Sequence, residues 1–101
     1  KILTGITATA GGFYGPQGRV LRLPLQDAAI NSKIDSFNWK GARITNLEME
    51  TSAIYGLSQL LGHHAVSMNA IIANRANGTF SKDYKKVINN LIEYSLGKLV
   101  E

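Results

Sequence analysis

The fold is decided by residues 42–62, which read ARITNLEMETSAIYGLSQLLG. Residues 42–50 predict a strand, and residues 51–61 carry apolar side chains at spacings of three and four: Ala53, Ile54, Leu57, Leu60 and Leu61. This spacing is typical of an amphipathic helix, and a glycine such as Gly62 often ends one. The order of strand and helix favours an α/β fold.

The segments before this stretch predict further elements. Residues 1–10 are rich in β-branched and small side chains and predict a buried strand. Residues 11–18 hold four glycines and a proline and predict a loop. A basic, strand-like piece follows over residues 19–25, and weak helical spacing over residues 27–39 predicts a short helix.

The segments after it continue the alternation. Residues 65–73 are almost unbroken apolar, which is typical of a parallel strand buried on both faces. A polar turn over residues 74–78 ends this strand. Ser81 is predicted to cap a long helix with one apolar stripe: Tyr84, Val87, Ile88, Leu91, Ile92, Leu96 and Leu99.

The composition indicates a soluble globular segment of one domain at most. The 101 residues are 45% hydrophobic and 18% charged and contain no cysteine, which excludes a disulfide scaffold and thiolate chemistry. No apolar stretch approaches the roughly 20 residues that a membrane span requires, so we expect no membrane partner. Because Lys1 opens a strand-like run without a signal-peptide pattern, we expect the sequence to be part of a longer chain.

The charge does not favour nucleic-acid binding. Eleven Lys and Arg against seven Asp and Glu give a net charge of +4, and the basic residues are scattered along the chain. Only Lys82, Lys85 and Lys86 cluster, on a predicted helix. Nucleic-acid binders concentrate such charge on one face and add aromatics or a recognisable motif. We therefore expect no nucleic-acid partner, and small anionic ligands or a solvated face stay open.

Three groups of residues that could carry chemistry follow predicted strands. They are the loop of residues 13–19, the triplet Glu48-Met49-Glu50, and the pair Asn74-Arg75. Ligands of open α/β sheets bind outside the carboxyl ends of the strands, so these groups are candidates for a ligand site.

The loop suits a planar heterocycle that carries carbonyl oxygens and a ring N–H. Gln17 offers an amide donor and acceptor, Arg19 offers five fixed donors, and Phe13 or Tyr14 offers a flat apolar face. The alternative is a surface turn in which Pro16 and the glycines only shape the backbone.

The acidic triplet suits a sugar. A carboxylate at this position can accept hydrogen bonds from two neighbouring ribose hydroxyls, and Met49 can contact the face of the sugar. Two alternatives stay open, because Thr45-x-x-Glu48 fits a capping box and Glu50 fits an acid favoured by the helix dipole.

The remaining polar groups carry less information. Asn74 and Arg75 either face a ligand or merely end a strand. His63 and His64 follow a helix end, where cationic side chains are favoured. Adjacent histidines rarely converge on one ion, so we predict no metal site.

Together and in this order, the three groups resemble the nucleoside phosphorylase family, and most closely its members that cleave uridine. The pyrimidine-recognition segment of that family is similar to Thr7-Ala8-x4-Phe13-Tyr14-x2-Gln17-x-Arg19, with the central pair swapped here to Gly15-Pro16. Its ribose-binding stretch is similar to Asn46-x-Glu48-Met49-Glu50-x-x-Ala53, and its later strand end to Ile71-Ile72-Ala73-Asn74-Arg75. The resemblance covers nearly the whole chain.

The resemblance implies a fold and a set of roles. Residues 1–101 would form the C-terminal portion of a nucleoside phosphorylase-like domain, with an incomplete three-layer α/β fold in which helices pack on a mixed sheet. Arg19 and Glu50 would be catalytic, acting on the base and on the ribose. The implied substrate-binding residues are Phe13, Gln17, Arg19, Glu48, Met49, Glu50 and Arg75.

The implied reaction is phosphorolysis, in which phosphate attacks the anomeric carbon of uridine and releases uracil and ribose 1-phosphate. Negative charge develops on the leaving base, where donors such as Arg19 stabilise the transition state. Family members acting on purines carry an aspartate near the position of Arg75, and its absence here favours a pyrimidine. Phosphate would be the co-substrate, with no cofactor, in a cytoplasmic homo-oligomer.

The family's phosphate-binding glycine and arginines have no counterpart in this sequence, so we expect the 101-residue chain to be inactive by itself. Two other functions stay open. One is a nucleosidase, or a phosphorylase for another nucleoside, that uses the same contacts. The other is a truncated chain that binds nucleoside without turning it over.

Overall fold

A computed structural model describes residues 2–101, which divide into two compact units, residues 2–65 and residues 66–101. In the first unit the strands are β1 (Ile6–Thr9), β2 (Asn38–Trp39) and β3 (Ala42–Glu48), and the helices are α1 (Ile30–Ser36) and α2 (Thr51–Leu60). The strand order is β1-β3-β2, with β1 parallel and β2 antiparallel to β3. The α/β class and the mixed sheet predicted from the sequence are confirmed.

The parallel pair of β1 and β3 is the centre of the first unit. Along β3 half-buried and exposed residues alternate, as the two-residue period of a strand requires. The register pairs Thr7 with Asn46, and the Thr7 hydroxyl donates to Asn46 Oδ1 at 2.9 Å. Just before β1, a Cβ on Gly5 would lie 2.2 Å from Cγ2 of Thr45, so the close approach of this backbone segment to β3 requires glycine there.

The predicted helix over residues 27–39 is shorter in the structure, because β2 takes its last two residues. Lys40 and Gly41 connect β2 to β3 with φ of 52° and 85°, the positive values of a two-residue hairpin turn. Asn38 Oδ1 accepts the Gly41 N–H at 3.0 Å and closes the turn. A hairpin therefore replaces the C-terminal part of that helix.

The strand predicted over residues 19–25 is wrong, since this segment has no regular secondary structure. Pro24 lacks the N–H that a strand would donate to its neighbour. The segment leads into α1, where Asp27 Oδ1 accepts the Ala29 N–H at 2.9 Å and Asp27 Oδ2 pairs with Lys33 at 2.6 Å. The hydrogen bond from Lys33, followed by that from Ala29, lowers the pKa of Asp27.

The second unit contains a hairpin and a helix. Its elements are β4 (Ala73–Asn74), β5 (Thr79–Phe80) and α3 (Tyr84–Leu99), with β4 and β5 antiparallel. The buried parallel strand predicted over residues 65–73 is wrong, because only Ala73 of that run is in a strand. Ile71 and Ile72 are 57% and 46% exposed, so these two apolar side chains are not enclosed.

The long helix is confirmed, but its predicted cap is wrong. Ser81 uses its N–H in the hairpin, where it donates to the Ile72 carbonyl at 2.8 Å, and so lies outside the helix. Asp83 is the N-cap instead, and its Oδ1 accepts the Lys86 N–H at 3.1 Å. In the predicted apolar stripe, Leu91 is half-buried and the other members are exposed.

Burial is shallow throughout the described part of the chain. Among residues 2–101 no hydrophobic side chain is fully buried, and the residue with the least exposure is Thr51, at 5%. The apolar stripe of α2 is exposed as well, with Leu57 and Leu60 at 58% and 80%. Within residues 2–101 no helix is long and apolar enough to cross a membrane. The predicted self-association and the single domain over residues 1–101 stay predictions.

Candidate functional site

Two of the three groups singled out in the sequence meet at one edge of the sheet. The glycine loop leaves β1 after Thr9, and the acidic triplet leaves β3 at Glu48. Thr9 and Glu48 are paired in the parallel register, and the Ala10 N–H donates to the Glu48 carbonyl at 2.8 Å. The loop and the triplet therefore begin side by side at the carboxyl ends of neighbouring parallel strands, where α/β sheets bind ligands.

A tight turn shapes the glycine loop. A short 3₁₀ helix, Gly15–Gln17, contains Pro16, whose fixed φ suits the start of a helix. The backbone N–H groups of Gln17 and Arg19 both donate to the Tyr14 carbonyl, at 3.2 and 3.1 Å. The turn thus fixes the backbone on either side of Gly18.

Gly18 allows this turn and its packing on α1. Its φ is +72°, a left-handed conformation that side chains other than glycine rarely adopt. A Cβ at Gly18 would lie 2.3 Å from Asn31 Nδ2. The loop is therefore seated against the first turn of α1 through a position that has no side chain.

Two aromatic rings hold the guanidinium of Arg19. Its central carbon lies 4.9 Å from the ring centroid of Phe13 and 4.3 Å from that of Tyr14, within the range of cation–π attraction. The two rings meet edge to face, with centroids 5.4 Å apart. Arg19 Nη2 also donates to the Phe13 carbonyl at 3.4 Å. The aromatic pair predicted to offer a flat face for a base therefore also orients Arg19.

Two polar atoms of this loop are buried and unpartnered. Gln17 Oε1 and Arg19 Nε are shielded from solvent, and neither has a hydrogen-bond partner among the described residues. A buried polar group without a partner costs about 1–3 kcal/mol. One of these atoms is an acceptor and the other carries an N–H donor, so the loop holds one unused hydrogen-bonding group of each kind.

An open groove of about 1050 Å³ lies beside the loop. Tyr14, Pro16 and Arg19 line one part of it, and residues 20–27 with Ile30 line the rest. Sequence reasoning missed residues 20–27 as part of a groove, since the apolar and basic composition of residues 19–25 predicted a strand. The groove does not include the other residues predicted for substrate binding, namely Phe13, Gln17, Glu48, Met49, Glu50 and Arg75.

The Glu48 carboxylate is the most heavily hydrogen-bonded acid of the site. Its Oε1 accepts the hydroxyl of Thr9, and its Oε2 accepts the backbone N–H groups of Glu50 and Thr51 at 2.6 and 2.7 Å. Thr9 Oγ1 in turn accepts the Ser52 N–H at 3.0 Å. Glu48 and Thr9 together satisfy N–H groups at the start of α2 that the helix itself leaves unpaired.

The capping box considered for Thr45 and Glu48 is wrong. Thr45 lies inside β3, and its hydroxyl faces the Ile6 carbonyl of β1 at 3.5 Å. The helix begins six residues later, at Thr51. Glu48 caps it from the end of the preceding strand.

These contacts control the ionisation of Glu48. Desolvation raises the pKa of the Glu48 carboxyl, but the hydrogen bonds from Thr9, Glu50 and Thr51 outweigh this effect and lower the pKa to about 2. Hydrogen bonds to the ionised form favour that form. Glu48 is therefore a carboxylate at neutral pH.

The lowered pKa of Glu48 predicts a loss of stability in acid. A carboxyl whose pKa is lower in the folded than in the unfolded state stabilises the fold above its ordinary pKa of 4.5, and this contribution disappears as the pH falls towards about 2. We expect the free energy of unfolding, measured by urea titration with circular dichroism, to fall across this window. Glu48→Gln keeps an acceptor oxygen but cannot titrate, so its loss should be smaller. An equal loss of stability in the wild type and in Glu48→Gln would show that titration of Glu48 does not cause it.

Glu50 and Met49 occupy the turn that Glu48 organises. Glu50 is the N-cap residue of α2, and its side chain makes no capping hydrogen bond. Both residues are exposed, Met49 by 43%. The helix-dipole alternative for Glu50 therefore applies to an N-cap position and not to the first turn, which holds no acidic residue.

The third group lies in the second unit. Arg75 follows β4, and its guanidinium carbon is 5.6 Å from the ring centroid of Phe80. Asn74 Oδ1 accepts the Ala76 N–H at 3.1 Å, so this side chain shapes the hairpin turn. The predicted role of Arg75 beside a base stays a prediction.

Comparison with known proteins relates this chain to part of a uridine phosphorylase. A uridine phosphorylase of Thermococcus kodakarensis is 34% identical to this chain over 88 residues. The match covers 81% of the chain and 29% of the relative, so the chain corresponds to less than a third of that protein's length. No family model matches the chain, and no solved structure matches it. The similarity supports an origin related to part of a nucleoside phosphorylase.

Proposed function

We propose that this chain carries the base- and ribose-binding part of a nucleoside phosphorylase that acts on uridine. Partial identity with a uridine phosphorylase supports this proposal. So does the juxtaposition of the glycine loop and the acidic triplet at the ends of β1 and β3. Phosphate is the proposed co-substrate, and no residue of this chain is assigned to its binding.

The observation that carries the proposal is the pair of unpartnered buried atoms in the loop. Gln17 Oε1 is an acceptor and Arg19 Nε carries a donor. The imide edge of uracil presents a ring N–H next to carbonyl oxygens. The ring N–H would donate to Gln17 Oε1, and a carbonyl oxygen would accept from the Nε–H of Arg19. Binding a uracil edge would thus remove an unfavourable contribution already present in the free chain.

The sugar is assigned to the triplet at the start of α2. The Glu50 side chain is not used in capping, so its carboxylate is available to two ribose hydroxyls. Met49 supplies an apolar contact beside it. Glu48, assigned to the substrate by resemblance, already accepts hydrogen bonds from the Thr9 hydroxyl and from the N–H groups of Glu50 and Thr51.

The proposed chemistry is phosphorolysis of the N-glycosidic bond. Phosphate attacks the anomeric carbon, the bond to the base breaks, and its electron pair leaves with uracil. Arg19 would donate to the carbonyl side of the departing base as that charge develops, when a fixed cation is most effective. The cation–π contacts with Phe13 and Tyr14 hold the guanidinium in place before the reaction, which reduces the cost of reorganisation.

The proposal is tested by ligand titration of the 101-residue chain under NMR observation. We expect uridine and uracil to shift the side-chain amide of Gln17 and the Nε–H of Arg19, and only uridine to shift the backbone amide of Glu50. Adenosine is the matched control, because its base lacks the imide edge. An equal response to adenosine, or no response to uridine, would overturn the proposal.

A further inference from the structure

Thr9, at the end of β1, also forms hydrogen bonds with Glu48 and with the start of α2. Its hydroxyl donates to Glu48 Oε1 and accepts the Ser52 N–H at 3.0 Å. Glu48 then holds the N–H groups of Glu50 and Thr51. The two side chains therefore fix three consecutive backbone amides, from the residue assigned to the ribose onward.

This network joins the two halves of the proposed site. Thr9 is the last residue of β1, directly before the loop that carries Gln17 and Arg19. Glu48 is the last residue of β3, directly before Met49 and Glu50. The Thr9–Glu48 contact thus links the turn that carries Met49 and Glu50 to the loop that carries Gln17 and Arg19.

The network is only partly shielded from water, since the bonds from the Glu50 and Ser52 N–H groups are exposed. Thr9 and Glu48 are half-buried, and Thr51 is only 5% exposed. A hydrogen bond to an ionised carboxylate is about twice as strong as one between neutral groups, and partial burial strengthens it further.

We propose that Thr9 is a positioning residue that acts through Glu48 to place Glu50 and Met49 at the ribose. Glu48 then serves the site by holding the turn and does not need to contact the substrate. This inference rests on the proposed nucleoside function, and it assigns a role to a residue that the motif comparison left without one.

The chain offers a matched control two residues upstream. Thr7 lies on the same strand and donates to Asn46 Oδ1 of β3 at 2.9 Å. This pair is part-buried like that of Thr9 and Glu48, and 39 residues separate the partners in both cases. It does not reach the start of α2, so Thr7→Val removes an equivalent hydroxyl without releasing the turn.

The experiment measures uridine and uracil affinity by calorimetry in the wild-type chain and in Thr9→Val, Thr9→Ser and Thr7→Val. We expect Thr9→Val to weaken uridine binding by about tenfold, the effect of losing one hydrogen bond to a charged group, and to leave uracil binding unchanged. Thr9→Ser keeps the hydroxyl and should retain wild-type affinity for both ligands. Equal weakening of uridine binding in Thr9→Val and Thr7→Val would indicate a merely structural role and overturn the inference.

A second measurement separates this inference from the proposed function. In the wild-type chain and Thr9→Ser, the amide protons of Glu50, Thr51 and Ser52 should be slow to exchange with solvent, and in Thr9→Val they should exchange faster. If uridine fails to bind the wild-type chain, the proposed function fails and so does the role in ribose binding, while the exchange data still decide the positioning of the turn. Unchanged exchange in Thr9→Val would overturn the positioning role even if uridine binds.

Discussion

Replacing Arg19 with alanine is expected to weaken uridine binding by about 10- to 100-fold, the effect of losing hydrogen bonds from a charged donor. The substitution removes a guanidinium that contacts two aromatic rings and whose Nε has no hydrogen-bond partner within residues 2–101. In a longer protein that turns uridine over, the loss of a donor aimed at developing charge would raise the barrier by about 2.7–4 kcal/mol. Affinity is measured by calorimetry, and turnover by release of uracil.

Arg43 provides the control for this substitution. Its side chain is exposed, and its guanidinium pairs with Asp35 at 3.3 Å, so Arg43→Ala removes a cation from the same unit without touching the loop. Exposed pairs of this kind contribute little to stability. Arg19→Lys keeps the charge but loses the planar fork, and it should bind uridine almost as poorly as Arg19→Ala. Retention of wild-type affinity in Arg19→Ala would show that the loop does not bind uridine.

Local sequence patterns predicted the strand and the helix at the centre of the first unit. The strand expected over residues 42–50 is Ala42–Glu48, and the helix expected over residues 51–61 is Thr51–Leu60. The apolar spacing of the helix lies within one stretch of sequence, and Gly62, with φ of +73°, ends the helix as expected. The helix requires no information from distant residues, whereas the strand takes its register from β1.

The strand predicted over residues 65–73 fails for the opposite reason. An apolar run indicates that a segment tends to be buried, but it does not specify a hydrogen-bonded neighbour. In the structure the only part of this run within a ladder is Ala73, which pairs with Phe80 of β5. Strand formation depends on that pairing, which the run itself does not encode.

The roles of the acidic triplet show the same limit within the site. The sequence presents two similar carboxylates, at Glu48 and Glu50, in front of one helix. The Thr9 hydroxyl donates a hydrogen bond to Glu48, although the two residues are 39 positions apart in sequence. Only the structure distinguishes a carboxylate that organises the turn from one that remains available to a ligand.

The proposed assignment of Glu50 to the ribose predicts that Glu50→Gln discriminates between sugars. A neutral amide accepts hydrogen bonds from two hydroxyls less strongly than a carboxylate, so uridine binding should weaken by about 10- to 100-fold. Since 2′-deoxyuridine offers one hydroxyl fewer, its affinity should fall much less. Calorimetric titration of both nucleosides gives the comparison.

The alternative for Glu50 predicts a different result. A carboxylate that only interacts with the positive N-terminal end of α2 contributes about 0.3–1 kcal/mol to stability. Its loss would change the affinities for both nucleosides equally. Glu93→Gln, which neutralises an exposed acid of α3, controls for the change in net charge. Equal losses for uridine and 2′-deoxyuridine in Glu50→Gln would therefore assign Glu50 to the helix end. A selective loss of uridine, absent from Glu93→Gln, would support its contact with the ribose.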